Sequence, residues 1–87
     1  MDSIIARELE RIAAAIPEVR DQIDLAADED AVPADVARAE KLVVALLERW
    51  EGILRKLDDT ERAHLQRELG LKIEVLKAHL LKLREDL

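Results

Sequence analysis

The sequence predicts an all-α protein, an up-down-up bundle of three helices, and three observations carry that reading. The chain is 49% apolar yet has no Phe, no Tyr and one Trp, so its core must be aliphatic. Charged residues make up 39% of it, and most are Glu, Arg and Lys, which are good helix formers. Gly and Pro number two each, too few for a turn-rich β protein.

Helix one is expected over residues 3–27. Ile5, Leu9, Ile12, Ile16, Val19, Ile23 and Ala26 follow one another at alternating steps of four and three. That is a coiled-coil-like seam, and it passes through Pro17 without a change of phase. A proline inside a helix removes a backbone hydrogen bond and costs roughly 3 kcal/mol. A helix that ended there would leave the phase of residues 19–26 arbitrary, so the expectation is one helix kinked near Pro17.

The segment DEDAVP, residues 28–33, is the linker. Pro33 suits the first helical position, where a missing N–H is no loss, and Asp35 favours the positive end of the following helix. Helix two is expected over residues 33–57. Its apolar positions, from Val36 and Ala39 through Leu46, Trp50 and Ile53 to Leu57, cover an arc of about 140° at 100° per residue. Trp50 is the expected core anchor, because a buried indole contributes more apolar area than any aliphatic side chain.

Asp58 stands where the apolar pattern of helix two stops. With Asp58 as N-cap, Glu61 occupies the third helical position, a capping box that makes the connection tight. Helix three is expected over residues 59–86, with Leu65, Leu69, Ile73, Leu76, Leu80, Leu83 and Leu87 on one face. Three helices of roughly 25 residues, each close to 38 Å long at 1.5 Å per residue, then pack as antiparallel neighbours.

Eighty-seven residues make one domain, taken here as 1–87. A chain so short buries only about 60% of its unfolded surface, so shared packing with a partner would help it. With no Cys, neither a disulfide framework nor a thiolate metal site is available. Asp2 and Glu8 interrupt the N-terminal apolar positions, so no signal peptide is expected. The longest apolar run, Leu42 to Leu47, falls far short of the ~18 residues a membrane span needs. A cytoplasmic protein is the expectation. The net charge is −6, and it is unevenly spread: residues 1–35 carry ten acids against three bases, residues 60–87 five acids against six bases.

Two stretches of helix three bear on function. Glu61-Arg62-Ala63-His64 has the E-x-x-H spacing of carboxylate-bridged metal sites in helical bundles. Such sites need two of these pairs and further inward carboxylates. A homodimer would have to supply the second pair, and Glu48 or Glu51, which would have to complete it, lie on the polar side of helix two. No metal and no cofactor are therefore expected, with Glu61 and His64 the weak candidates for a dimeric metal-binding bundle.

The stretch ERAHLQRELGLKIEVLKAHLLKLRE, through Glu61-Arg62, Leu65, Glu68-Leu69-Gly70-Leu71, Leu76-Lys77 and Arg84, resembles the second and third helices of homeodomain-like folds. The resemblance covers under a third of the chain and implies a turn at residues 68–71 and a DNA-reading helix after it. His79-Leu80 stand where that family has an aromatic pair, and Lys82 stands for its base-contacting Asn. The segment nets only +1, whereas phosphate neutralisation dominates nucleic-acid affinity. Nucleic acid is therefore the alternative partner, and one long helix through Gly70 the preferred geometry. Trp50-Glu51-Gly52 matches the W-x-G tripeptide that forms the turn of small secreted helical hairpins, but the apolar phase continues across it.

Catalysis has little to work with. Ser3 and Thr60 are the only hydroxyl side chains, both at expected helix starts and neither near a His with a supporting acid. The carboxylates sit at charge-pair spacings such as Glu8–Arg11 and Glu51–Arg55, which support exposed helices. The function expected is that of a non-enzymatic helical interaction module, such as an adaptor, small chaperone or inhibitor. Its surface would be the apolar residues left outside the core stripes, namely Leu42, Val44, Leu71, Val75 and Leu81, which would pair in a homodimer or hold another protein's helix.

Overall fold

Asp2 opens the first helix by accepting the Ile4 N–H at 2.9 Å. The computed structural model describes residues 2–85. From that cap α1 runs over Ser3–Ala26 as one helix with Pro17 inside it. Proline has no N–H to give, so the Ala13 carbonyl one turn back has no partner within the helix. The seam residues Ile12, Ile16, Val19, Ile23 and Ala26 are all buried, and Ile5 and Leu9 pack against them from the open end.

The connection Ala27–Val32 leads into α2, Pro33–Lys56, with Pro33 at its start. Asp35 reaches back to accept the Val32 N–H at 3.2 Å, satisfying a donor the helix cannot. Val36, Ala39, Val43, Leu46, Trp50 and Ile53 are buried, and Leu57 closes the row just beyond the helix. Leu47 and Leu54 flank it, half-buried, whereas Leu42 is 38% exposed. The buried arc of α2 is thus narrower than its full apolar arc.

Asp58 and Glu61 form the reciprocal cap that starts α3, Asp59–Leu65, with Glu61 N–H on Asp58 Oδ1 at 2.8 Å and Asp58 N–H on Glu61 Oε1 at 3.4 Å. Arg62 fastens this turn from the other side. Its Nε donates to the Leu54 carbonyl at 3.0 Å, which also accepts the Leu57 N–H at 3.4 Å, and its Nη2 donates to the Leu57 carbonyl at 2.9 Å.

Residues 68–71 do not turn. A π-helical segment, Gln66–Gly70, joins α3 to α4, Leu71–Glu85, and the flanking residues keep right-handed helical dihedrals. This corrects the homeodomain-like expectation, because one continuous rod cannot set two helices at an angle. It also refines the expectation of uniform α-helix. Leu65, Leu69 and Ile73 are spaced four and four, which in an α-helix drifts 80° off one face. A wider turn advances only about 80° per residue, and five such residues return Ile73 to the face of Leu65. The expected helix ends at 27 and 57 each lie one residue beyond the observed ends, ordinary terminal uncertainty. Asp86 and Leu87 lie outside the described residues.

The three rods form a bundle with extents of 44 × 19 × 16 Å. α1 packs most extensively on α2, while α4 closes the third side against both. Glu8 of α1 stands 4.0 Å from Arg49 of α2, and Arg84 of α4 donates to Glu40 of α2 at 2.8 Å. No polar side chain among the described residues is buried. Gly52 faces open space: a Cβ built there meets nothing within 4 Å. Gly52→Ala is therefore expected to stabilise the protein by about 1 kcal/mol through helix propensity. Urea unfolding followed by circular dichroism measures it, and a loss of stability would mean that Gly52 serves something outside the chain's own packing.

Candidate functional site

The apolar residues left outside the core do not gather on one face. Leu71 and Val75, 74% and 43% exposed, stand on the wall of a groove of about 480 Å³ between α1 and α4. Its opposite wall is Ala13, Ile16, Pro17 and Arg20, and Leu69, Lys72 and Leu76 complete it. The groove lies beside the π-helical segment and beside Pro17, which has no N–H to offer the Ala13 carbonyl. Arg20 and Lys72 place positive charge at its rim.

Leu42 lies elsewhere. It lines a shallower groove of about 210 Å³ between α1 and α2, with Ala15, Glu18, Val19, Leu46 and Arg49 among its neighbours. Val44 sits on the outer side of α2 with Glu40, Lys41, Ala45 and Glu48. Leu81 is 56% exposed on α4 and lines neither the groove of Leu71 nor that of Leu42. The five surface residues therefore do not share one place, and only Leu71 and Val75 line the same groove. Exposed Ile4, Leu25 and Val32 were not singled out in the sequence. They lie off the core stripes near helix ends, the same signal that singled out Leu71.

Glu61 and His64 do not converge. The Glu61 carboxylate accepts the Asp58 N–H in the cap. The His64 side chain is 59% exposed, with Nε2 3.9 Å from Glu68 on the open surface. Among the described residues no three His, Cys, Asp or Glu side chains come together as a metal would require. Trp50 is 6% exposed, between Leu46 and Ile53 in the core row of α2. Most ion pairs are short-range and solvated, as at Glu51–Arg55 and Glu74–Lys77, and such pairs add little stability. Among the described residues no helix is long and apolar enough to cross a membrane.

What these elements define is a small all-α module, three antiparallel rods around an aliphatic core with shallow grooves between them. More particularly, the chain belongs to the family of the Embryogenesis-like protein helical domain, whose sequence pattern matches residues 6–85. It is similar to the Embryogenesis-like protein of Arabidopsis thaliana, 36% identical over 86 residues, which covers 93% of this chain and 48% of that relative. The chain thus spans about half the length of the curated relative it matches. No solved structure matches it.

Proposed function

We propose that this member of the family is a non-enzymatic protein-protein interaction module that works through the α1–α4 groove and the side of α4 beside it. One observation carries the reading. Leu71 and Val75 keep large apolar surface in water at the mouth of a groove floored by Ile16 and Leu76. Exposed apolar area costs about 25 cal/mol per Å² relative to burial, and a second helix laid there would remove it. The non-enzymatic part rests on the polar groups: no carboxylate among the described residues is buried, several serve caps and surface ion pairs, and Ser3 and Thr60 are exposed at helix starts.

The test compares two baits in a pull-down read by mass spectrometry, the wild type and Leu71→Glu with Val75→Glu. Both positions are exposed, so the double variant should keep its helical circular dichroism and its unfolding midpoint within about 0.5 kcal/mol. A protein held by the wild type should be lost from the variant by at least about tenfold, the effect of removing central apolar contacts. Identical proteins on both baits would sink the assignment of this face.

A further inference from the structure

The groove of Leu71 and Val75 does not stop at Arg20. Beyond it a second hollow of about 330 Å³ opens between the same two rods, lined by Ile23, Asp24, Ala27, His79, Lys82 and Leu83. Together the two follow α1 from Ala13 to Ala27, about 21 Å at 1.5 Å per residue, or close to four helical turns.

The charge of this seam runs against that of the molecule. The net charge is −6, yet the charged residues lining the first groove are Arg20 on the α1 wall and Lys72 on the α4 wall, with no acid between them. In the second hollow Lys82 and Asp24 balance each other. Among the described residues neither Arg20 nor Lys72 has a carboxylate within 4.0 Å. Glu68, four residues before Lys72, lies 3.9 Å from His64 instead. Other surfaces match their bases with acids. The α1–α2 groove places Glu18 beside Arg49, which stands 4.0 Å from Glu8, and the surface around Val44 sets Lys41 between Glu40 and Glu48.

We infer that the occupant of this seam is an acidic amphipathic helix of another protein. Its apolar row would lie over Ile16, Val75 and Leu76, with carboxylates on either side of that row meeting Arg20 on one wall and Lys72 on the other. This rests on the interaction reading above and adds the chemistry of the partner. Charges flanking an apolar row set partner choice between paired helices. A small amphiphile fits less well, because small-ligand sites enclose most of their ligand, whereas Leu71 at this mouth is 74% exposed.

Two synthetic helices that share one apolar row, flanked by Glu in one and by Lys in the other, test the inference. Fluorescence anisotropy measures each against the full chain at physiological ionic strength, where a screening length of about 8 Å mutes distant charge. Net charge alone favours the Lys-flanked helix. The seam favours the Glu-flanked one, expected to bind at micromolar concentration and about tenfold tighter than the other, the effect of a few exposed ion pairs. Arg20→Glu with Lys72→Glu should reverse the preference with helical circular dichroism unchanged, since both side chains are exposed. Lys41→Glu with Lys56→Glu makes the same change in net charge away from the seam and should leave the preference intact. An equal shift in that control overturns the placement at Arg20 and Lys72. Equal binding of the two helices, or a preference for Lys flanks, overturns the acidic partner, while loss of both from the Leu71→Glu, Val75→Glu chain would still uphold the interaction module. Neither helix bound overturns the foreign helix, and a dimer in sedimentation would then put a second copy there.

Discussion

Trp50→Ala is expected to unfold most of the protein at room temperature. The indole is 6% exposed and is the one aromatic group in an otherwise aliphatic core. Its removal leaves a cavity facing α1 and α4 that neighbouring Leu and Ile side chains, already packed, cannot fill. Phe or Trp to Ala in a core costs about 3–5 kcal/mol. A chain of 87 residues has a total stability of about 4–13 kcal/mol, so the substitution removes much or all of it. In the wild type, Trp50 emission should be blue-shifted and move red together with the loss of helical circular dichroism in urea. A Trp50→Ala chain that stays helical with a urea midpoint close to wild type would remove the anchor role.

Two single-residue deletions in the third rod should have opposite outcomes. Deleting Gly70 leaves Leu65 and Ile73 seven residues apart, about 700° in an α-helix, and so on one face without the wider turn. The rod should become regular α-helix and keep stability within about 1 kcal/mol of wild type, helped by the loss of a poor helix former. Deleting Ala78, in regular α4, turns Leu80 and Leu83 by about 100° out of the core they now fill at 5% and 7% exposure. Each buried Leu is worth about 2–5 kcal/mol, so this chain should be unfolded. Circular dichroism and urea unfolding compare the two, and equal damage from both deletions would refute the phase-restoring role of Gln66–Gly70.

The bundle was readable because helix packing leaves its mark locally. The seam Ile12, Ile16, Val19, Ile23 needs only spacing to be seen, and its unbroken phase across Pro17 showed that the proline lies inside a helix. The Asp58–Glu61 cap was readable for the same reason, since partner and donor are three residues apart. The π-helical segment was present only as the four-four spacing of Leu65, Leu69 and Ile73, a drift that a wider turn or a tolerant core can absorb equally well. The placement of the exposed apolar residues was less accessible. Leu42, Val44, Leu71, Val75 and Leu81 share the property of lying off their own helix's core stripe. Which groove each one meets depends on how the rods are rotated about one another, and one helix's periodicity carries no record of that.

The two connections of the bundle differ in reach, and that difference sets an order in time. Between α1 and α2 the chain spends Ala27–Val32, whereas between α2 and α3 it spends Leu57 and Asp58 alone. Shorter loops cost less entropy to close, and the shorter one is also drawn shut by Arg62 on the Leu54 and Leu57 carbonyls. Helical hairpins of this local kind assemble in microseconds to milliseconds. The C-terminal pair of rods is therefore expected to close first, with Ile73, Leu76 and Trp50 forming a template onto which the acidic α1 settles last. In the finished molecule connection and packing oppose each other, since α1 is joined through the longer connection yet packs most extensively on α2. A transient departure of α1 would double as the opening of the groove, because Ile16 and Pro17 travel with it and Leu76 stays behind.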